Sequence, residues 1–224
     1  MPAIAQHIQQ INDTLPAGVR LVAVSKTHPA SCVQEAYEAG QRIFGESRPQ
    51  EFVQKAALLP PDIEWHFIGH LQTNKVKQVV GLARLIHAVD SERLLLEIEK
   101  EAAKRALHVA CLLQVHIATE EAKFGFSPDE LQHLFAQNFF IHTPHVQLAG
   151  LMGMATNTGD HRQVSREFRG LKQLFDAIKQ THVAGNPSFC ELSMGMSGDY
   201  RIAIDEGSTL VRIGTAIFGQ LEFC

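Results

Sequence analysis

Eight short apolar runs recur along this chain, each separated from the next by a segment long enough for a helix. The runs are Leu21–Ser25, Arg42–Glu46, Trp65–Gly69, Leu85–Val89, Cys111–Ile117, Leu148–Met154, Phe189–Met194 and Leu210–Gly214. Apolar, β-branched runs of this length bounded by turn residues read as strands. Strands that alternate with helices pair in parallel through crossovers. Eight such units in 224 residues fit a closed (β/α)8 TIM barrel, with a doubly wound open sheet as the alternative. The expectation is a single barrel domain over residues 1–224.

The intervening segments carry helix signals. One starts at Pro29, with Val33, Ala36 and Tyr37 on a common face. SERLLLEIEKEAAKRA opens on Ser91 as N-cap and ends in basic residues. SPDELQHLF places Ser127 at an N-cap, Pro128 at the first helical position and Glu130 where it closes a capping box. His161–Thr181 is the longest helical segment, and Ala3–Leu15 reads as a helix ahead of the first strand. Only TAIFGQLEFC follows the last strand, too little for a full outer helix. The N-terminal helix is therefore expected to cover the barrel beside that strand.

Composition narrows the function. A net charge of −4 argues against a nucleic-acid surface spread over the whole protein. The longest apolar stretches, such as Val109–Val115, are too short to span a bilayer, and MPAIAQHIQQ carries no secretory pattern. Cys32, Cys111, Cys190 and Cys224 form no CxxC pair and read as reduced thiols of a cytoplasmic protein. Twelve histidines raise the question of a metal, but none lies in HExxH. His66 and His70 sit in an extended segment, about 13 Å apart at roughly 3.3 Å per residue. No metal site is expected.

Active sites of such barrels lie at the C-terminal strand ends. Those ends hold Lys26, Glu46–Ser47, His70, Asp90, His116, Met152–Met154, Ser193 and Arg212–Thr215. A lysine directly after LVAVS points into the mouth, where partial desolvation favours loss of its proton and attack on a carbonyl. Position alone leaves open a solvated lysine that merely ends a strand. The loop SMGMSGDY after strand seven is small and turn-rich, and it leads into a helix near Asp199. RIGT at strand eight adds Gly214 and the Thr215 hydroxyl. Two such loops side by side suit a phosphate. With Lys26 facing them, they point to a phosphate-bearing carbonyl ligand.

VAVSKTHP, GESRPQE, WHFIGHLQTNK, KFGF, LMGMAT, ELSMGMSGD and RIGTAIFG together resemble, in order, the motifs of the YggS/PROSC family of pyridoxal phosphate homeostasis proteins. The resemblance runs from Leu21 to Gly219 and extends to the barrel domain of fold-type III enzymes such as alanine racemase. It implies pyridoxal 5′-phosphate (PLP, a form of vitamin B6) held as a Schiff base on Lys26. It further implies a phosphate cradle of Met196, Ser197, Gly214 and Thr215, with Arg212 at the pyridine nitrogen. Ser47, His70, Asn74 and Ser193 are implied nearby. The family usually shows GEN where this chain has Gly45–Glu46–Ser47, so a hydroxyl stands in place of a carboxamide.

The expected role is to buffer or deliver PLP without amino-acid turnover. An arginine at the ring nitrogen disfavours its protonation and makes the ring a weak electron sink. Racemisation needs acid/base groups on both faces of the substrate. His116 and Asp90 are the leading candidates for a second base, while Tyr37 and Tyr200 fall on helices. The β-rich second domain of the racemases has no counterpart in the chain, which makes a monomer the expectation. Transient contacts with PLP-dependent apoenzymes fit the role, whereas nucleic acid and membranes do not. The alternatives are an amino-acid racemase, a Schiff-base aldolase whose substrate carries the phosphate, and a regulatory module whose partner reads PLP occupancy.

Overall fold

A computed structural model describes residues 3–119 and 124–219. Eight parallel strands close into one barrel in sequence order. They are β1 (Arg20–Val24), β2 (Ile43–Glu46), β3 (Glu64–Phe67), β4 (Leu85–Val89), β5 (Val109–Val115), β6 (Val146–Gly153), β7 (Glu191–Ser193) and β8 (Leu210–Ile213). The β1–β8 pairing closes the ring in register from Arg20↔Leu210 to Ala23↔Ile213. The barrel reading is borne out and the open sheet is not.

Helices follow the strands: α2 (Ala30–Glu38), α3 (Pro49–Leu58), α4 (Val76–Val79), α5 (Glu92–Lys104), α6 (Pro128–Ala136), α7 (His161–Thr181), α8 (Tyr200–Asp205) and α9 (Thr215–Phe218). The capping box at Ser127 forms in both directions, 2.7 Å to Glu130 Oε2 and 3.1 Å from the Glu130 amide. Ser91 Oγ caps α5 by accepting from Leu94 N. The first helix, α1 (Ala3–Asn12), packs against α2 and α9, with Ile8 and Ile11 buried. His7 Nδ1 meets Ile217 O at 2.9 Å. This helix supplements the single turn of α9 beside β8, as the sequence suggested.

The core has two layers. Leu21, Ala23, Phe44, Trp65, Phe67, Val211 and Ile213 face outward into the sheath between sheet and helices. Val22, Leu85, Leu112, Met152 and Leu210 fill the barrel interior. β3 ends two residues before the end of the run Trp65–Gly69, and Gly69 passes directly against the β2 end. A Cβ there would lie 2.4 Å from Ser47 O, so only glycine permits the approach.

Candidate functional site

Strand alternation decides which side chains reach the mouth. In β1, Leu21 and Ala23 pack outward, Val22 points inward and Val24 lines a cavity at the C-terminal strand ends. Lys26 continues the inward series and joins the same wall. In β8, Val211 and Ile213 face outward, while Arg212 and Gly214 line the cavity. In β3, Trp65 and Phe67 face outward, His66 is buried, and Ile68 and His70 reach the cavity. The cavity volume is about 450 Å³.

One wall is a loop rich in N–H donors. Gly195 has φ +87°, and a Cβ there would meet Ala203 Cβ at 2.7 Å and Tyr200 Cα at 2.8 Å. That tight turn is pinned by Met196 N donating to Asp199 Oδ1 at 2.6 Å and by Tyr200 N donating to Met196 O at 2.9 Å. Gly214 N points at Ser197 Oγ at 3.4 Å. Among the described residues, the N–H groups of Ser197 and Gly198 donate to no backbone carbonyl. Met196, Ser197, Gly214 and Thr215 all line the cavity. α8 has only six residues and α9 four, so an anion placed here would be met by the turn's N–H groups and hydroxyls more than by helix dipoles.

Arg212 lines the cavity from within the barrel and is only 4% exposed. Burial pushes its pKa down to about 10, partly offset by Asp199, so it is charged at neutral pH. Its Nη1 donates to Ser193 Oγ and its Nη2 to Gly153 O at 3.1 Å. Ser193 is buried behind the guanidinium, outside the cavity wall. Beyond Ser193 come His87, with Nδ1 at 3.0 Å from Ser193 Oγ, and His66, with Nδ1 at 2.9 Å from His87 Nε2. Burial lowers the pKa of both imidazoles, that of His66 to about 3, with Arg20 and Arg84 adding to the effect at His66.

Lys26 is held differently. Its own neighbours in the chain are pinned by α3: Lys55 Nζ donates to Ser25 O at 2.7 Å, and Thr27 N donates to Glu51 Oε2 at 2.8 Å. Thr27 has φ +69°, an unfavourable left-handed conformation for a β-branched residue. Lys55 Nζ also meets Glu46 Oε1 at 2.6 Å, which accepts from Ser25 Oγ at 2.6 Å. Glu46 Oε2 is buried with no partner among the described residues, and desolvation raises the Glu46 pKa.

The remaining wall holds Ser47, His70, Gln114 and Phe124. His70 Nδ1 bonds Asp90 Oδ2 at 2.7 Å, and its ring stacks on Phe124 at 4.0 Å between centroids. Gln114 Nε2 donates to Phe124 O at 2.9 Å. Asn74 is exposed on the 3-10 turn Thr73–Lys75 and is not part of the cavity wall. Tyr37 bonds Asp62, and Tyr200 lies 3.4 Å from Thr14, both away from the cavity. Lys123 of KFGF and Cys224 lie outside the described residues. Gln114, Phe124, His87 and Lys55 were not singled out from the sequence. Gln114 in CLLQV and His87 in LIHAV had a signal, a polar residue within an apolar run, but Lys55 had none.

The family described as alanine racemase, N-terminal domain, matches residues 1–222. A pyridoxal phosphate homeostasis protein from Aquifex aeolicus is 40% identical over 205 residues, spanning 91% of this chain and 88% of its own length. The chain belongs to the YggS/PROSC family of pyridoxal phosphate homeostasis proteins. Beside this family member, PipY of Synechococcus elongatus, solved with PLP bound, is 35% identical with a TM-score of 0.86. The match covers 96% of this chain and 100% of PipY. An alanine racemase from Bartonella henselae is 19% identical with a TM-score of 0.76, and the match covers 58% of that chain. It shares the barrel fold with the family member described here.

Proposed function

We propose that this protein binds PLP and buffers or delivers it, without amino-acid turnover of its own. The observation that carries the reading is one cavity of about 450 Å³ onto which Lys26, Arg212, Ser197 and Thr215 all open. The donor set fits the cofactor: an amine for its aldehyde, a guanidinium for its ring nitrogen, and hydroxyl and N–H groups for its phosphate. When bound, PLP supplies a carbonyl that exchanges between amines. Lys26 Nζ holds it covalently. Ser197, Thr215, Gly214 and the amides of Ser197 and Gly198 hold the phosphate, at about 1.5–3 kcal/mol for each charge-assisted hydrogen bond. Arg212, a donor without an acceptor, keeps a proton off the ring nitrogen.

The relatives' names and the PLP-bound PipY structure support the same ligand. No helix among the described residues is long and apolar enough to cross a membrane. Monomeric state, cytoplasmic location and transient contacts with PLP-dependent apoenzymes complete the proposal.

Borohydride reduction of PLP-loaded protein followed by peptide mapping tests the lysine. The pyridoxyl mass is expected on Lys26, and stable labelling of Lys75 or Lys77 instead would refute the assignment. One observation favours a second reading, a racemase: His70 lines the cavity and is oriented by Asp90. Deuterium exchange at Cα of L- and D-amino acids decides between them. The carrier predicts negligible exchange, and turnover of roughly one per second or more, as in ordinary enzymes, would establish the racemase.

A further inference from the structure

Three buried polar side chains stand behind Arg212, none of them part of the cavity wall: Ser193, His87 and His66. Val22, Leu85, Leu112 and Leu210 occupy the same barrel lumen. Polar groups in such a place must be paired, and the way they pair is constrained by what each can donate.

The constraint starts at the guanidinium, which has five N–H donors and no acceptor. Its Nη1 donates to Ser193 Oγ, so the serine oxygen is an acceptor at that contact. The serine has one proton left, and His87 Nδ1 lies 3.0 Å away. If that proton points at Nδ1, Nδ1 carries a lone pair and a neutral His87 must be protonated on Nε2. His87 Nε2 then donates to His66 Nδ1 across 2.9 Å, which leaves His66 protonated on its own Nε2. The contacts between Arg212, Ser193, His87 and His66 are all satisfied in this direction, and His66 Nε2–H ends the row without a protein partner among the described residues. In the reverse direction Ser193 Oγ could accept from both Arg212 and His87 Nδ1–H through its two lone pairs, but the buried serine proton would then have no acceptor along the row.

We propose that Ser193, His87 and His66 form a one-way hydrogen-bond relay that holds Arg212 as a fixed donor toward the cavity, making them positioning residues for the guanidinium. What Arg212 meets in the cavity rests on the PLP reading above, but the direction of the relay does not.

The surrounding charges agree with neutral imidazoles. His66 faces the positive fields of Arg20 and Arg84, and His87 those of Arg212 and Arg20. Arg20 is itself paired with Glu191, and Asp199 acts on Arg212. An imidazolium at His87 would put a second buried cation in the chain that leads to Arg212. Arg212 is also held from Gly153 O by its second nitrogen, so its plane is fixed at two points. A guanidinium fixed in this way presents its remaining N–H groups without reorganising, which is how a preorganised donor gains over a mobile one.

The test has two arms. In unmodified protein without cofactor, 15N-resolved NMR of the imidazoles reports the tautomers. His66 and His87 are expected neutral and protonated on Nε2 from pH 5.5 to 8. A proton on His87 Nδ1 would overturn the relay, whatever the protein binds. In the second arm, His87→Gln preserves the polarity, because its amide offers an acceptor to Ser193 and a donor to His66. His87→Leu removes both. With PLP as the probe, H87Q is expected to stay within threefold of wild-type affinity and to keep the pH profile of the cofactor absorbance. H87L, or Ser193→Ala if H87L does not fold, is expected to bind at least tenfold more weakly with a displaced profile. A folded H87L or S193A with wild-type affinity and profile would refute the positioning role. If wild-type protein binds no PLP, the proposed function fails, and the first arm still decides the relay.

Discussion

The two groups expected to grip opposite functions of the ligand, Lys26 and Arg212, are backed by buried polar networks of different kinds. Behind Lys26, on the helix side of the sheet, a charged pair does the holding. Lys55 bridges Glu46 and Ser25 O, and Glu51 takes the amide of Thr27. Behind Arg212, inside the barrel, the partners Ser193, His87 and His66 are uncharged. The difference follows from the site's own charge. Arg212 brings a permanent cation into the lumen, and a neutral row satisfies it without adding a second charge there. The backbone around Lys26 carries no charge, so an ion pair anchored on a helix can clamp it. The strained conformation of Thr27 is one sign that this clamp overrides local preference.

Breaking the charged network should have the largest effect. Lys55→Met leaves Glu46 buried and unpaired, its second oxygen already without a partner. Removing one member of a buried pair costs about 3–5 kcal/mol, to be read as a lowered urea midpoint at unchanged m-value. A loss below about 1 kcal/mol would show that the pair behaves as a solvated one and that the contrast between the networks is false.

The networks should also differ in the sign of their pH dependence. His66 is depressed from 6.5 to about 3, so the unfolded state binds more protons between those values. The contribution of His66 is therefore present above about pH 6.5 and is lost as pH falls toward 3, an effect on the order of 5 kcal/mol. Glu46 is raised above its ordinary 4.5, so its contribution runs the other way and falls as pH rises through its folded-state value. Urea titrations from pH 7 to 4 should show His66→Asn flattening the acid loss and Glu46→Gln steepening it. Parallel curves would erase the distinction.

The smallest effect sharpens the comparison. Glu46→Leu combined with Lys55→Met removes both charges, and stability should return to within about 1–2 kcal/mol of wild type, the deficit being the lost partners of Ser25. PLP affinity in that double variant separates the two roles of the clamp. Restored stability with weakened binding means that Lys55 positions Lys26 through Ser25 O, and restored binding as well means that it serves folding alone.

Much of this architecture was legible in the chain because it rests on local pattern. Eight apolar runs, the capping box at Ser127–Glu130 and the bounds of α7 needed only periodicity and capping chemistry. The inward series Val22, Val24 and Lys26 follows from a strand period of two, so the lysine could be placed at the mouth without coordinates. The loop after β7 was readable from its small residues, although the N–H groups it leaves open belong to the turn more than to the short helix that follows.

What only tertiary structure decided was the company each polar residue keeps. His66 and His87 are 21 positions apart, and Ser193 is a further 106 away from His87. They meet because closure of the barrel turns strands distant in sequence toward one lumen. Lys55 reads in the sequence as an ordinary helix lysine, and Asp90 as a weak candidate base. The fold makes the first a clamp on Ser25 and the second the partner of His70. The reason is physical: a side chain's direction is set by local backbone geometry, whereas its hydrogen-bond partner is set by which strands the closed sheet brings within about 3 Å.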